Sequence, residues 1–517
     1  MIKREEIISA VKSNPNFDVI IIGGGAVGLG AGVDASARGY KTLVIEKFDF
    51  AKGTSSRSTK LLHGGVRYLA QLNFHLVRDS LKEKERLYNN APHLTKDCEF
   101  IIPCYSLFDL GFYRAGLFVY DVLAGYPKGH SSSFISKQQI IKRYPRIKQK
   151  GLIGGIIYHD GIFDDARLAL SLADTISVNG SFALNYHEAV TLEKDNGKII
   201  GVKIKNTETA EEYVIKSQCV LNATGIFSDE VRKLDTGEHK ITVEKAQGVH
   251  IVVNKSCISS EQALLIPKTS DGRVLFTVPW HENVIIGTTD TLVSEATIEP
   301  VALEAEIDFI ISNINKYLEK PIGKEDIQTV YAGIRPLIKE ETTNTAKISR
   351  EERTTISDSN LVSVIGGKWT SYRRMSEKVI DFMIGKKLLP DAPSKTKDLK
   401  LAGYLSRSEV NKIPEHLMVY GSNLAKLETK EGFSEKIHPL LPYNISQIVY
   451  AVESEQARTV DDVLARRTRA LFLNSRYAVE AAPKVAEIMA KHLNKDITWQ
   501  NQQVKEFTEI AKNYLSH

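Results

Sequence analysis

Cysteine is scarce in this chain, which has only four cysteines among 517 residues. They are Cys98, Cys104, Cys219 and Cys257, and none of them forms a C-x-x-C pair. This usage argues against a disulfide framework and a cysteine-based zinc site, and it fits buried thiols in a reducing compartment. Other clusters with metal-ligand spacing are also lacking, so we predict no metal.

Neither an excess of one charge nor a long apolar run is present. Lys plus Arg number 68 against 63 Asp plus Glu, a net charge of +5, so we expect no nucleic-acid partner. The longest uncharged apolar run, residues 19–33, is glycine-rich and too short to span a bilayer. The N-terminus is charged and leads into no apolar segment, which argues against a secretory signal. We therefore expect an intracellular protein that is soluble or at most peripheral to a membrane.

The order of sequence patterns predicts a chain of several domains. Hydrophobic residues make up 42% and charged residues 25%, an ordinary globular composition, and the length predicts about two to four domains. Residues 17–22, 26–38 and 41–46 predict a strand, a helix and a second strand, which is a βαβ unit. The middle is rich in strand patterns, and residues 389–396 have the composition of a domain boundary. Beyond it, patterns such as 459–471 and 479–493 predict a mostly helical tail.

The strongest local signal is a glycine-rich turn between the first predicted strand and helix. Gly23, Gly25 and Gly28 have G-x-G-x-x-G spacing, which lets the backbone approach a pyrophosphate at the helix N-terminus. Glu46 ends the second predicted strand, where a carboxylate can accept hydrogen bonds from ribose hydroxyls. The combination predicts a dinucleotide site, but by itself it does not decide between FAD and NAD.

Three further segments favour FAD. Residues 220–225 resemble the second FAD-contacting turn of two-domain flavoprotein oxidoreductases, and residues 363–373 combine a strand, a Gly-Gly turn and a helix start. Backbone N–H groups at such a helix start stabilise the negative charge that reduction places on a flavin. Residues 54–69 add a dense set of hydroxyl and basic side chains. The predicted flavin contacts from these segments are Thr54, Ser55, Ser56, Ser58, Lys60, His63, Gly64, Gly65, Ala223, Thr224, Gly225, Gly367, Lys368, Trp369 and Thr370.

Together these segments resemble the FAD-dependent glycerol-3-phosphate dehydrogenase family, in the glycine-oxidase-like group of flavoproteins. The resemblance spans nearly the whole chain in the right order. Its matching stretches are 23–28, 55–69, 164–168, 222–225, 248–252, 279–280, 287–290, 331–336, 366–373 and, in the helical tail, 457–469.

The resemblance implies an α/β fold and a division into domains. We expect a two-domain FAD-binding flavoprotein, Rossmann-like and of the glycine-oxidase and glutathione-reductase type. Its FAD-binding domain would comprise residues 1–90, 150–245 and 355–390. An interleaved mixed-sheet substrate domain would comprise 91–149 and 246–354, and a C-terminal all-helical domain would comprise 391–517.

The resemblance also implies the substrate, sn-glycerol 3-phosphate, which would be oxidised at C2 to dihydroxyacetone phosphate. The basic residues that match the family's substrate site are Arg67, Arg335, Arg350 and Lys368, with Tyr68 as a further donor. Arginine suits phosphate because its planar fork donates two parallel hydrogen bonds. Arg335 is also a candidate for stabilising the developing alkoxide, and Lys368 for countering the reduced flavin. The sequence does not separate these roles.

His250 lies in an apolar strand pattern, where a lone histidine is often a core residue. The resemblance favours a catalytic role instead, since a neutral imidazole can take the C2 hydroxyl proton as the hydride leaves for flavin N5. Asp290 and the pair Asp164–Asp165 either face a ligand or cap turns, and both interpretations stay open.

The resemblance implies that the electrons pass to a quinone at the inner face of the cytoplasmic membrane. The aromatic-rich stretch 105–120 would then lie in the membrane interface, or it is a buried helix. A glycerol-3-phosphate oxidase that makes hydrogen peroxide is the alternative, although the insertion typical of related oxidases is not obvious here. A non-catalytic FAD-binding membrane protein is a second alternative. We also expect a homodimer.

Overall fold

The computed structural model describes residues 3–65, 74–124, 131–237, 242–339 and 352–515. They form an 8-stranded sheet, a 10-stranded sheet and a helical C-terminal region. The strands are β1 (Asn16–Ile22), β2 (Thr42–Ile45), β3 (Leu61–Leu62), β4 (Thr95–Cys104), β5 (Ser133–Ser136), β6 (Gly154–Phe163), β7 (Phe182–Leu184), β8 (His187–Asp195), β9 (Lys198–Asn206), β10 (Glu212–Asn222), β11 (Val243–Asn254), β12 (Ala263–Ile266), β13 (Leu275–Trp280), β14 (Asn283–Gly287), β15 (Thr291–Val293), β16 (Ile327–Ile338), β17 (Arg353–Ile356) and β18 (Leu361–Ile365).

Helices pack on both sheets, and beyond β18 the described residues form helices and loops without a further strand. The α-helices are α1 (Arg4–Ser13), α2 (Ala26–Arg38), α3 (Phe74–Asn90), α4 (Leu107–Ala124), α5 (Lys137–Arg143), α6 (Asp165–Val178), α7 (Ser228–Thr236), α8 (Glu304–Ile314), α9 (Tyr372–Gly385), α10 (Arg407–Val410), α11 (Glu415–Met418), α12 (Leu424–Glu428), α13 (Ile445–Ser454), α14 (Ala470–Leu473), α15 (Ser475–Leu493) and α16 (Ile497–Lys512).

The first sheet brings three distant turns to one edge. Strand β1 pairs in parallel with β2 and β10, and β10 pairs in parallel with β18. These strands are buried on both faces, which explains their nearly continuous Val, Ile and Leu runs. Because the strands are parallel, the turns that follow β1, β10 and β18 lie side by side at the carboxyl edge of the sheet.

The second sheet is mixed and contains two segments that the sequence placed elsewhere. Strand β11 pairs with β16 along its whole length, and β4 pairs antiparallel with β6 and in parallel with β12. The boundaries 1–90 and 150–245 had assigned β3 and β6 to the FAD-binding domain, whereas both strands belong to this second sheet. Sheet membership lies beyond sequence patterns, because a buried apolar strand shows which faces are covered but not which strand it pairs with.

The C-terminal region is helical, as predicted, but residues 459–471 do not form one continuous helix. A π-helical segment spans Asp462–Arg467, and Arg469 then adopts a left-handed φ of +65° before α14 begins. The wide turn directs two consecutive arginines to one buried carboxylate, Asp49 of the first domain. Arg466 Nε donates to Asp49 Oδ2 at 2.5 Å, and Arg467 Nη2 donates to Oδ1 at 2.9 Å. Burial opposes ionisation, yet Arg467 and Arg466 hold the pKa of Asp49 below its usual value.

One buried histidine, His93, is expected to make the stability of the protein depend on pH. His93 is 1% exposed where the start of β4 meets the C-terminal region, and burial, together with Arg167, lowers its pKa to about 3. The folded protein therefore keeps His93 neutral at pH values at which the unfolded chain, with a pKa near 6.5, takes up a proton. The contribution of His93 to the free energy of unfolding is fully present above about pH 6.5. It is lost as the pH falls below that value, by about 1.4 kcal/mol per pH unit.

We expect His93→Gln to flatten this dependence in urea unfolding titrations between pH 6 and 4. His75→Gln is the control, because the His75 side chain is 82% exposed, and its profile should run parallel to that of the wild type. A His93→Gln profile that is also parallel would contradict the prediction.

Candidate active site

A cleft of about 1350 Å³ lies between the two sheets, lined by residues of both. This volume exceeds the roughly 300–1,000 Å³ of drug-sized ligand sites, so the cleft has room for a dinucleotide and a small substrate together. The three turns at the carboxyl edge of the first sheet form one end of it. Residues of β11, β16 and α4 also line it.

The turn after β1 has the geometry that its glycines predicted. Gly23 has a φ of +114°, and a Cβ there would lie 2.6 Å from the carbonyl oxygen of Ala223. Gly25 precedes α2 and lines the cleft together with Gly23. Gly28 does not line it. A Cβ on Gly28 would lie 1.9 Å from the carbonyl oxygen of Gly23, so this glycine lets the helix pack directly against the turn.

The other two turns place backbone groups against the same cavity. Residues 223–225 and 366–370 all line the cleft. Gly367 has a φ of +94° and leads through Lys368 into a short 3₁₀ turn that continues as α9. The N-terminus of this helical segment therefore lies at the cleft, where the first-turn N–H groups and the positive dipole end favour an anion.

Glu46 lines the cleft and is already engaged by the backbone. Its Oε2 accepts the N–H of Gly24 at 2.7 Å, and Oε1 accepts the N–H of Phe48 at 2.8 Å. Burial raises the pKa of Glu46, and these two hydrogen bonds oppose the rise. Each carboxylate oxygen retains a further lone pair, which is what a ribose hydroxyl requires.

The predicted polar loop divides into residues that face the cleft and residues that support it. The cleft is lined by Thr54, Ser55, Ser58, His63 and Gly65. Ser55 Oγ accepts the Ala26 N–H at 2.9 Å, and Ser55 O accepts the Trp369 indole N–H at 2.8 Å, so it links two of the turns.

Three predicted flavin contacts in this loop lie elsewhere. Lys60 is fully buried, and its ammonium donates to Asp165 Oδ2 at 2.6 Å. Ser56 is buried and turns its carbonyl to Lys60 at 2.7 Å. Gly64 donates its N–H to the Tyr120 hydroxyl at 2.9 Å and packs under that side chain. A buried polar group needs a hydrogen-bond partner, and the Lys60 side chain finds its acceptors outside the cavity.

His250 lies on β11, lines the cleft and is 1% exposed. Its Nε2 lies 2.8 Å from the Thr59 hydroxyl, and its ring stacks on Tyr331 with the centroids 4.7 Å apart. Its Nδ1 has no hydrogen-bond partner among the described residues. Burial, with the charges of Arg335 and Lys60, holds the pKa of His250 well below 6.5. The imidazole is therefore neutral at neutral pH, as a proton acceptor must be.

Arg335 projects from β16 over the backbone of Gly248, where a Cβ would lie 2.2 Å from its Nη2. Nη2 donates to the Thr288 hydroxyl at 2.9 Å, and Nη1 donates to Asp290 Oδ1 at 3.2 Å. Thr289 O accepts from Nη1 at the same distance. The guanidinium is thus held in a fixed plane at the cleft, on the same wall as His250.

The remaining predicted residues fall into three groups. Lys368 lines the cleft. Arg67, Tyr68 and Arg350 lie outside the described residues. Of the aspartates left open, Asp290 lines the cleft beside Arg335, Asp164 caps α6 by accepting the N–H of Arg167 at 3.0 Å, and Asp165 belongs to the buried Lys60 pair.

Several residues that line the cleft were not among the predicted site residues. Thr59 lies inside the hydroxyl-rich run that was singled out, but nothing in the pattern separated it from its neighbours. Thr288 and Thr289 belong to the quoted Gly-Thr-Thr-Asp stretch. Arg273 donates to the Asp290 carbonyl at 2.7 Å from a segment without any motif. Across the described ranges, no group of three or more His, Cys, Asp or Glu residues has the geometry to hold a metal ion.

Comparisons with known proteins agree with this geometry. The model of the family described as "FAD dependent oxidoreductase" matches residues 18–368, and that of the "C-terminal domain of alpha-glycerophosphate oxidase" matches residues 361–503. Mitochondrial glycerol-3-phosphate dehydrogenases from Bos taurus and Homo sapiens are each 35% identical over 99% of this chain and 75% of their own length. This chain belongs to the FAD-dependent glycerol-3-phosphate dehydrogenase family.

Solved structures extend the likeness to the three-dimensional level. The FAD complex of the glycerol-3-phosphate dehydrogenase from Bacillus halodurans is similar with a TM-score of 0.82 and 28% identity, over 100% of this chain and 99% of that one. An FAD-bound L-alpha-glycerophosphate oxidase from Mycoplasma pneumoniae shares the fold, with a TM-score of 0.57 and 15% identity over 74% of this chain and 96% of that one. The predicted fold class and family are confirmed.

The family is FAD-dependent, which confirms the prediction of the cofactor, and the cleft fits that group. Any side chain at Gly23 would collide with the backbone of the neighbouring turn, so the turn stays open to a pyrophosphate. Glu46, the Ala223–Gly225 turn and the start of the helical segment at Lys368 line one continuous cavity with it. These residues would hold the adenosine, the pyrophosphate and the isoalloxazine.

Proposed function

We propose that this enzyme oxidises sn-glycerol 3-phosphate at C2 to dihydroxyacetone phosphate and passes the electrons to a quinone. Bound FAD supplies the hydride acceptor, its N5 atom. The observation that carries the proposal is the convergence of Arg335 and a neutral His250, on the neighbouring strands β16 and β11, in one cleft with the three predicted flavin-binding turns. A phosphorylated secondary alcohol needs this pairing of a cation with a proton acceptor.

Arg335 binds the anionic part of the substrate or the oxygen that becomes anionic at C2. Its planar fork is oriented by Thr288, Thr289 and Asp290 before any ligand arrives, so little orientational entropy is lost on binding. Arg67, Arg350 and Lys368 are the other proposed phosphate ligands. Holding the remote phosphate fixes C2 in place, which lowers the entropic cost of the transition state.

His250 takes the proton of the C2 hydroxyl as the hydride leaves. Burial and the charges of Arg335 and Lys60 hold its pKa low in the free enzyme, which makes it a weak base there. A phosphate dianion near Arg335 offsets the charge of that guanidinium, and this raises the proton affinity of the imidazole when substrate is present. Proton acceptance is thus coupled to substrate binding.

An anaerobic absorbance titration with sn-glycerol 3-phosphate tests the proposed reaction. We expect the oxidised flavin bands to bleach in proportion to the dihydroxyacetone phosphate formed. A flavin that stays oxidised at saturating substrate would refute the substrate and leave the fold intact. It would also favour the non-catalytic alternative.

The exposed face of α4 supports a quinone as the acceptor and attachment to the inner face of the cytoplasmic membrane. Leu107, Phe108 and Phe118 are 74%, 80% and 67% exposed, whereas Leu117 on the opposite face is buried. Phe112 and Val119 of the same helix line the cleft, so an apolar acceptor could pass from the interface to the flavin. Among the described residues, no helix is long and apolar enough to cross a membrane.

This proposal predicts the effect of charge on α4. The double variant Phe108→Glu/Phe118→Glu should lower binding to anionic phospholipid vesicles at least about tenfold, because each buried Phe contributes about 1.5–3 kcal/mol. Flavin reduction by substrate should be unchanged. Ile497→Glu in the C-terminal region is the matched control, since Ile497 is 64% exposed and far from α4 in the chain. Equal vesicle binding by all three proteins would contradict the proposal.

Reoxidation of the reduced enzyme decides between the two acceptors. We expect fast turnover with a soluble quinone analogue and little hydrogen peroxide in air-saturated buffer. Peroxide formed in step with substrate oxidation would instead identify an oxidase.

Sedimentation of the lipid-free protein tests the proposed homodimer.

A further inference from the structure

Next to the hydroxyl-rich loop 54–69 lies a buried cluster of three ionisable side chains, Lys60, Asp165 and Arg469, in which burial lowers the pKa of Lys60 to about 7. Each side chain is at most 2% exposed. Lys60 Nζ donates to Asp165 Oδ2 at 2.6 Å, and Arg469 Nη2 donates to Asp165 Oδ1 at 3.1 Å. Arg469 comes from the C-terminal helical region, whereas Lys60 and Asp165 belong to the flavin-binding half of the chain. The cluster therefore joins the C-terminal region to the back of the active site.

This cluster holds the backbone of residues 56–60. The carbonyl of Ser56 accepts from Lys60 Nζ at 2.7 Å and from Arg469 Nη2 at 2.9 Å. Asp165 Oδ2 accepts the N–H and the hydroxyl of Ser58 at 3.1 and 2.7 Å. Lys60 itself has a left-handed φ of +62°, a conformation that a side-chain-bearing residue keeps only where its surroundings hold it.

The held loop presents Thr59 to the cleft and to His250. Thr59 lies between the anchored residues Ser58 and Lys60, lines the cleft, and has its hydroxyl 2.8 Å from His250 Nε2. Tyr331, which stacks on the imidazole, donates its hydroxyl to the Ser58 carbonyl at 3.0 Å. Both neighbours that fix the orientation of the imidazole are thus fixed by the same loop.

We infer that Arg469 is a positioning residue for the Thr59–His250 pair, acting through Asp165 and the backbone of Ser56. The inference rests on the proposed function, in which His250 accepts the substrate proton. Arg469 does not line the cleft, so it supports the reaction without binding either reactant. The C-terminal region thereby supports the active site through a residue that does not line the cleft.

A second buried arginine provides a matched comparison. Arg167 of α6 donates to both oxygens of Glu455 at 2.9 and 2.7 Å, and this pair also joins α6 to the C-terminal region. Its described hydrogen bonds do not reach residues 56–60. A general role of interdomain ion pairs would make the two arginines equivalent, whereas positioning of the loop makes only Arg469 matter for the reaction.

The test compares Arg469→Met with Glu455→Gln in the FAD-loaded enzyme. We expect Arg469→Met to slow flavin reduction at saturating substrate about 10- to 100-fold, since a misplacement of about 1 Å can cost about 100-fold. The KM for sn-glycerol 3-phosphate should change less than about threefold, because the phosphate site is untouched. Amide exchange in residues 56–60, followed by mass spectrometry without substrate, should become about tenfold faster as charged hydrogen bonds are lost. Glu455→Gln should match the wild type in all three measurements.

Equal loss in Glu455→Gln, or a wild-type reduction rate in Arg469→Met, would overturn the inference. If Arg469→Met fails to fold, Arg469→Lys takes its place. It keeps the charge but lacks the fork, so we expect a smaller loss of rate in the same direction, and wild-type rate and exchange in Arg469→Lys would overturn the inference too. Failure of the wild type to be reduced would refute the proposed function alone, and the exchange comparison would still decide whether Arg469 holds the loop.

Discussion

Replacing Gly28 with alanine is expected to yield a protein that purifies with little or no flavin. The added Cβ would lie 1.9 Å from the carbonyl oxygen of Gly23, and backbone cannot yield as a flexible side chain can. Helix α2 must then move away from the turn that approaches the pyrophosphate. We expect the affinity for FAD to fall by about 10- to 100-fold or more.

The measurement is the ratio of flavin absorbance to protein, followed by titration with added FAD. Gly385→Ala is the control, because it is also a helical glycine and a Cβ there would have no neighbour within 4 Å. That variant should purify with the wild-type flavin content. A fully loaded Gly28→Ala protein would show that the close packing of helix and turn is not needed for binding.

His250→Asn is expected to slow flavin reduction by about 10²- to 10⁴-fold, the usual contribution of a positioned proton acceptor. Asparagine keeps a polar group near Thr59 but cannot take up a proton at neutral pH. The KM should change little, since the cations that bind phosphate remain. Stopped-flow reduction under anaerobic conditions measures the effect.

His159→Asn is the matched control for this variant. His159 hydrogen bonds to Asp97 at 3.0 Å and is not among the residues that line the cleft, so its loss should leave the rate within about twofold of the wild type. A His250→Asn enzyme that reduces its flavin at a near-normal rate would show that another group accepts the proton.

The sequence predicted the first domain well because its signals are local. Helix α2 has the predicted bounds 26–38, β1 ends at the predicted residue 22, and the glycines of the first turn fix both a conformation and a close contact. The pairing of strands that are distant in the chain could not be predicted in this way. Strand β6 pairs with β4 in the second sheet, and no pattern within β6 reveals that choice.

The same limit explains why some of the predicted flavin contacts do not line the cleft. Lys60 has the composition and the neighbours of a flavin contact, but Asp165 lies 105 residues away in sequence and draws its charge inward. Thr59, next to it, faces the cleft instead. The fold, and not the local pattern, decides which polar residues of this loop line the cleft. The break at Arg469 has a similar cause, since buried carboxylates on other elements override the local helical pattern.

The buried pairing of Arg466 and Arg467 with Asp49 has a consequence for how this enzyme can be made and divided. Asp49 is fully buried and shares its carboxylate with both arginines, and an isolated charge in that position costs several kcal/mol. A fragment that ends near residue 390 would lack Arg466 and Arg467 and would leave the Asp49 carboxylate without these partners. The two parts of the polypeptide are therefore not interchangeable modules, because the carboxylate of the one depends on arginines of the other.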